Sequence, residues 1–303
     1  MTDAVTLPRS VVERYRTFSR FNSPYPAHDA GRAIDLYPGD GRGISPVSGT
    51  VRETRTVGCP DRSYAADTDH VIVVELDRAG SEALDAKPGT IARILHVVPD
   101  VEPGDRVAVG DVLGPTTRSG FFGRWVDDHV HLGFRPPGSN ALRASGSLPV
   151  DIDVAVDSVP WGGTGTVIER GPAHVVLDAP ERPAGTNGRF AALASDEGVP
   201  LDGGLAHYAG GGTFERGTSD TERRDPITLL GTRVGTRRGR RIEWEPIEIR
   251  ANGERIVGLS LFASVNGRIG VKLVCPDAVF RIGDAVSVEI RASDDPIRLG
   301  VGR

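Results

Sequence analysis

Residues 127–134 read DDHVHLGF, and residues 27–39 read AHDAGRAIDLYPG. On a β-strand, successive side chains point to opposite faces. Val130, Leu132 and Phe134 then face a core, while His129 and His131 stand side by side on the other face. Two imidazoles so placed can share a metal site, or one can bind while its neighbour handles a proton. A solvated strand face that happens to hold two histidines is the plain alternative. In RAIDLY, Ile34 and Leu36 share one face, and Asp35 lies on the other with Ala33 and Tyr37; an exposed edge-strand aspartate has the same pattern. His28 precedes Asp35 by seven positions, which on a straight strand is roughly 23 Å. Both can ligate one ion only if the chain folds back between them. His96, in ILHVV, shares a face with Ile94 and Val98, as a core histidine satisfied by a backbone partner would.

These residues need strands to hold them, and the chain supplies many. From about residue 33, Val-rich runs alternate with Gly, Pro and Asp clusters: RAIDLY, GISPVSGTVRET, HVIVVELD, TIARILHVV, DRVAVGDVLG and HVHLGF. With 39 Gly and 22 Pro in 303 residues, this predicts a turn-rich all-β protein. Ser10–Glu13 matches a capping box and predicts a short helix in an N-terminal extension over residues 1–20. A first domain covers residues 21–140. The stretch PPGSNALRASGSLP (136–149) holds little that packs and reads as the boundary. Residues 150–303 form a second β-rich domain, a sandwich or barrel, with hairpin turns at Asn252-Gly253 and Asn266-Gly267.

The order of the pieces carries more than any one of them. A His and Asp pair is followed by SPVSGTV, then ILH, then VEPGDRVAVGDVLG, then HVHLGF. Over about residues 24–137 this order resembles the lysostaphin/LytM-like zinc metallopeptidases. The resemblance implies a LytM/lysostaphin-like β-sheet domain, related to the biotinyl/lipoyl hybrid folds, that binds Zn2+ and hydrolyses a peptide or peptide-like substrate. It assigns His28, Asp35 and His131 as metal ligands and His96 and His129 as the catalytic histidines. Such a ligand set leaves a fourth zinc position for water, with His129 as general base and His96 stabilising the oxyanion.

The family spaces its first pair as His-x-Gly-x-Asp, and the residue four before Asp35 is Gly31. Three readings are open. An insertion lets the chain loop at Ala30-Gly31 and return His28 to the metal, Gly being permissive enough. Alternatively the first ligand is lost and the domain is a non-enzymatic binding or structural module that keeps the fold. Or Asp29 or Asp40 completes a different site. The family's Tyr-x-His also becomes Ile94-Leu95-His96.

Other features are weighed against simpler readings. Phe121, Phe122 and Trp125, in PTTRSGFFGRWVDD, either wall a peptide groove or cap an interface with the second domain. Arg237, Arg238, Arg240 and Arg241 read as an exposed hairpin tip. GGLAHYAGGGTF (203–214) lacks the Lys of a phosphate loop and reads as a flexible loop, and His174 as a structural histidine. Covalent carriage is excluded, because neither Lys87, in DAKPGT, nor Lys272, within a strand, fits a hairpin-tip modification site. Cys59 and Cys275 lack zinc spacing and read as reduced thiols. The net charge of −5 argues against a broadly basic nucleic-acid binder. No apolar leader or membrane-length run occurs, so a cytoplasmic protein without membrane contact is the expectation. Oligomeric state is not legible.

Overall fold

The structure is a computed structural model that describes residues 4–143, 145–186, 188–215, 223–265, 269–276 and 280–300. It is nearly all β, with 46% strand and 5% helix. Two compact units emerge. One holds the chain up to Phe18 together with Pro26–Val154, and the other holds Ser19–Tyr25 and the chain from Ala155. Among the described residues no helix is long and apolar enough to cross a membrane.

In the first unit, antiparallel strands lie side by side in the order Ala33–Tyr37, Val130–Arg135, Ile91–Leu95, Thr68–Leu76, Gly49–Gly58 and Arg106–Val107. Their two-residue periodicity sorts the faces. Ile34, Leu36, Ile72, Val74, Ala92, Ile94, Val130, Leu132 and Phe134 are all buried on one side. His131 pairs with Asp35 on one flank and Leu95 on the other, so the opposite face carries the His131–Asp35 pair beside an apolar cluster of Val71, Val73 and Ile91. A short helix does form at Arg9–Val12, but it starts after Pro8 and no side chain caps it, so Ser10 is not its cap.

Residues 136–149 are not a free linker. Ala141 and Leu142 pack against the buried Val71, Val73 and Ile91, and Leu148 N–H donates to Phe134 O at 2.9 Å. The Val5–Pro8 strand then pairs in parallel with Val150–Asp153. The first unit therefore includes most of the expected extension and runs past the expected boundary.

The second unit has its own core, in which Trp161, Leu205, Trp244, Leu259 and Leu273 are buried. Ile247–Ala251 and Glu254–Ile256 pair across Asn252-Gly253, both at positive φ (51° and 84°), as a type I′ hairpin requires. Asn266-Gly267 lies outside the described residues. The stretch read as a flexible loop is instead a buried hairpin of Leu201–Leu205 and Gly210–Thr213. Its glycines are packing positions: a Cβ on Gly212 would stand 2.3 Å from the Phe21 ring, and one on Gly211 2.3 Å from Trp244. The arginine-rich stretch is a hairpin of Thr232–Arg238 and Arg241–Trp244. Cys59 and Cys275 are free, and Lys272 is a buried strand residue.

Candidate metal centre

Pro26 opens a one-turn helix, Pro26–Asp29, where its fixed φ suits the first helical position. Gly31 then takes a left-handed φ of 64°, its N–H bonded to His28 O at 2.8 Å, while Arg32 N–H reaches Ala27 O at 2.7 Å. This reverses the chain into the Ala33–Tyr37 strand, a turn that glycine makes without steric cost. The seven-residue gap therefore closes: His28 Nε2 lies 3.4 Å from Asp35 Oδ1.

His131 completes a triangle. Its Nδ1 is 2.9 Å from Asp35 Oδ1 and 3.1 Å from His28 Nε2. Donors around a tetrahedral ion with bonds of about 2.0–2.1 Å stand roughly 3.3–3.4 Å apart. The three atoms thus approximate one face of such a tetrahedron, and two imidazoles with one carboxylate are a donor set that zinc accepts. His131 is the site's most open ligand: its side chain is 18% exposed, against 2% for His28 and 4% for Asp35.

The electrostatics suit a cation. Burial pushes the Asp35 pKa up, but His28, His129 and the hydrogen bonds of His131 and His28 outweigh it and hold the carboxyl well below its usual range. Burial pushes His131 and His129 down to about 4, against the pull of Asp35. At neutral pH the carboxylate is ionised and both imidazoles are neutral, so Asp35 and His131 stand in the forms that ligate a cation.

Stability should report this. Histidines whose folded pKa is depressed stabilise fully above the unfolded value near 6.5, and that contribution is lost as pH falls toward 4. The unfolding free energy of zinc-free protein, read from urea titrations, should therefore fall over this window, by up to about 3 kcal/mol per histidine. His131→Gln should flatten the slope. A slope unchanged by the substitution would show that His131 is not buried neutral.

The catalytic pair expected from the sequence stands beside the triangle. His129 Nδ1 donates to the Asp127 carbonyl at 2.8 Å, since a carbonyl can only accept. Its Nε2 is left with the lone pair in the neutral ring, 3.5 Å from Asp35 Oδ1. His96 does not sit in the core stripe that strand alternation suggested. It follows the end of the Ile91–Leu95 strand with a left-handed φ of 67°, an uncommon conformation that re-aims its ring toward the site. Ring centroids of His96 lie 4.9 Å from His129 and 5.8 Å from His131.

The partner of His96 is one that sequence reasoning missed. Asp69, fully buried, accepts from His96 Nδ1 at 2.6 Å and, through its other oxygen, from His70 N–H at 2.7 Å. Burial raises the Asp69 pKa, but the hydrogen bond and charge of His96 outweigh it, so the carboxyl is held below its usual value. The only sequence signal was an aspartate opening the apolar run of the Thr68–Leu76 strand.

Ser119, also fully buried, bonds to Asp69 and ties in the aromatic loop. Phe122 packs 4.6 Å from His129 and 5.1 Å from His96, and Tyr37 lies 5.1 Å from His129. Arg118 covers Phe122 at 5.4 Å and pairs with Asp128 at 2.9 Å. The loop walls the site. Of the other histidines, His70 faces Thr56, while in the second unit His174 lies on a strand and His207 in the turn between the Leu201–Leu205 and Gly210–Thr213 strands.

Known families bear on the whole chain. Residues 6–152 match the N-terminal domain, and residues 157–291 the C-terminal domain, of the family described as domain of unknown function DUF8155. The chain belongs to the DUF8155 family. The two DUF8155 matches meet between residues 152 and 157, where the two compact units also divide. Neither a curated protein nor a solved structure matches the chain.

Proposed function

We propose that the chain is a zinc-dependent peptide hydrolase of the lysostaphin/LytM type. The observation that carries the reading is the His28/Asp35/His131 donor triangle with His129 Nε2 and the Asp69-anchored His96 beside it. His28, Asp35 and His131 would hold the ion. Zinc bound there would supply Lewis acidity for a carbonyl and for an attacking water.

The remaining roles fall to the chain's own groups. His129 Nε2 takes the proton of the attacking water and returns it to the amine nitrogen as the C–N bond breaks, its ring held by the Asp127 carbonyl. When His96 carries both protons, Asp69 accepts the one on Nδ1, and Nε2–H donates to the developing oxyanion. Phe122 packs on both rings and Tyr37 on His129, which shields them from bulk water and strengthens these interactions.

The test joins metal analysis to a substrate screen. Protein purified without chelator should hold close to one zinc per chain and should cleave members of a random peptide pool, read by mass spectrometry, until EDTA is added. Less than about 0.2 zinc per chain would falsify the metal site, given the affinity of a complete three-residue set. Full zinc without cleavage would favour the non-enzymatic module.

A further inference from the structure

A serine, an aspartate and a histidine meet beside the metal centre, in an order that no nucleophile uses. Ser119 bonds to Asp69, and His96 Nδ1 donates to Asp69 at 2.6 Å. In a serine hydrolase the histidine stands in the middle and takes the serine proton. Here the carboxylate stands in the middle, and Ser119 is fully buried. Its hydroxyl therefore reaches no substrate and needs another explanation.

The direction of its proton is fixed. Phe121 N–H donates to Ser119 Oγ at 3.2 Å, so that oxygen already accepts. An ionised carboxylate can only accept. The single hydroxyl proton thus points at Asp69. A directed path runs from the Phe121 N–H through the Ser119 hydroxyl and Asp69 to the His96 ring.

The aromatic loop also holds the backbone of His96. Thr117 N–H donates to His96 O at 2.9 Å, and Thr116 pairs with Val97 in an isolated β-bridge. His96 needs such support. Its φ of 67° is a left-handed conformation that a non-glycine residue keeps only where its surroundings impose it. Phe122 packs against the ring at 5.1 Å. Residues 117–122 therefore act on the carbonyl of His96, on one face of its ring and, through Ser119 and Asp69, on its Nδ1.

A second segment backs the loop. Tyr64 donates its hydroxyl proton to Phe122 O at 3.1 Å, and Ala66 N–H donates to Arg118 O at 3.0 Å. A Cβ on Gly120 would stand 1.8 Å from Pro60 O, so only glycine permits this approach.

We propose that Ser119 is a positioning residue, the joint through which the aromatic loop holds the His96 ring in its aimed orientation. The proposal rests on the peptidase reading only for what His96 then does. Within that reading, the loop that walls the site also sets the donor to the oxyanion.

The first measurement needs no substrate. In the full chain, with zinc and again with EDTA, NMR should show nuclear Overhauser contacts between the His96 and Phe122 rings. Ser119→Ala should lose most of this contact while amide shifts elsewhere stay in place. The second uses zinc-loaded protein and a peptide found in the pool screen. Ser119→Ala should keep its zinc and lower kcat about tenfold, the worth of one hydrogen bond to a charged group, with KM within about twofold. In an Asp69→Asn background the same substitution should add less than about twofold, because the path through Asp69 is already cut. A ring contact unchanged in Ser119→Ala overturns the proposal, and so does full additivity with Asp69→Asn. A merely structural serine would lower stability and leave kcat alone. If Ser119→Ala does not fold, Tyr64→Phe decides. It should keep the ring contact; loss of that contact would move the anchor to the 60–66 segment and overturn the role of Ser119. Absent cleavage would sink the peptidase reading and leave the ring measurement standing.

Discussion

His131→Ala should lose zinc and hydrolysis together, whereas His129→Ala should keep its zinc and lose turnover. His131 Nδ1 makes both short edges of the donor triangle, 2.9 Å to Asp35 and 3.1 Å to His28. Without it, two donors 3.4 Å apart remain, too few for a tight site. His129 differs. Its Nδ1 is engaged by the Asp127 carbonyl, and its Nε2 stands 3.5 Å from Asp35 Oδ1, beside the triangle. Loss of a general base lowers kcat by roughly 10²–10⁴-fold. Zinc stoichiometry by mass spectrometry and cleavage of a peptide found in the pool screen read the two effects separately. If His129→Ala also sheds its zinc, His129 is a ligand and the assignment of roles is wrong.

Asp69→Asn should reduce kcat by a factor of roughly 10²–10⁴ with full zinc content and little change in KM, if Asp69 positions His96 for the transition state. The 2.6 Å contact from His96 Nδ1 fixes the ring's tautomer and orientation, and the ionised carboxyl places a negative charge against the ring. An amide of the same shape accepts one proton but supplies no charge, and it presents an N–H that favours the other tautomer. The variant should also lose about 1–3 kcal/mol, because the Asp69 oxygens serve His70 N–H and Ser119 as well. A purely structural role would stop there. Two readouts go further: the ¹⁵N shifts of His96 should change tautomer, and the pH–rate profile should move. Asp69→Glu, which restores the charge, should recover part of the rate. An unchanged kcat in Asp69→Asn would remove Asp69 from the mechanism.

Much of this centre was written in local pattern. Alternation within HVHLGF and RAIDLY is enough to put His129, His131 and Asp35 on polar faces, because the two-residue period is a property of each strand alone. The same period, read over the whole chain, identifies an all-β protein, and Asn252-Gly253 marks its own hairpin. Gly-rich composition misled at residues 203–214, where small residues serve to admit Phe21 and Trp244 rather than to loosen the chain.

Periodicity says which residues share a face of one strand. It does not say which strands are neighbours or in what register. The pairing of His131 with Asp35 and the Asp69–His96 contact are both products of that register. His96 escaped the pattern because a left-handed backbone at one residue reverses the face its side chain takes. His28 depended on a single turn: one helical turn ending at a left-handed Gly31 converts a separation of roughly 23 Å on a strand into 3.4 Å. Residue type and strand period by themselves determined which side chains were available for chemistry. Tertiary structure decided which of them meet, because pairing and turn geometry depend on contacts between segments far apart in the chain.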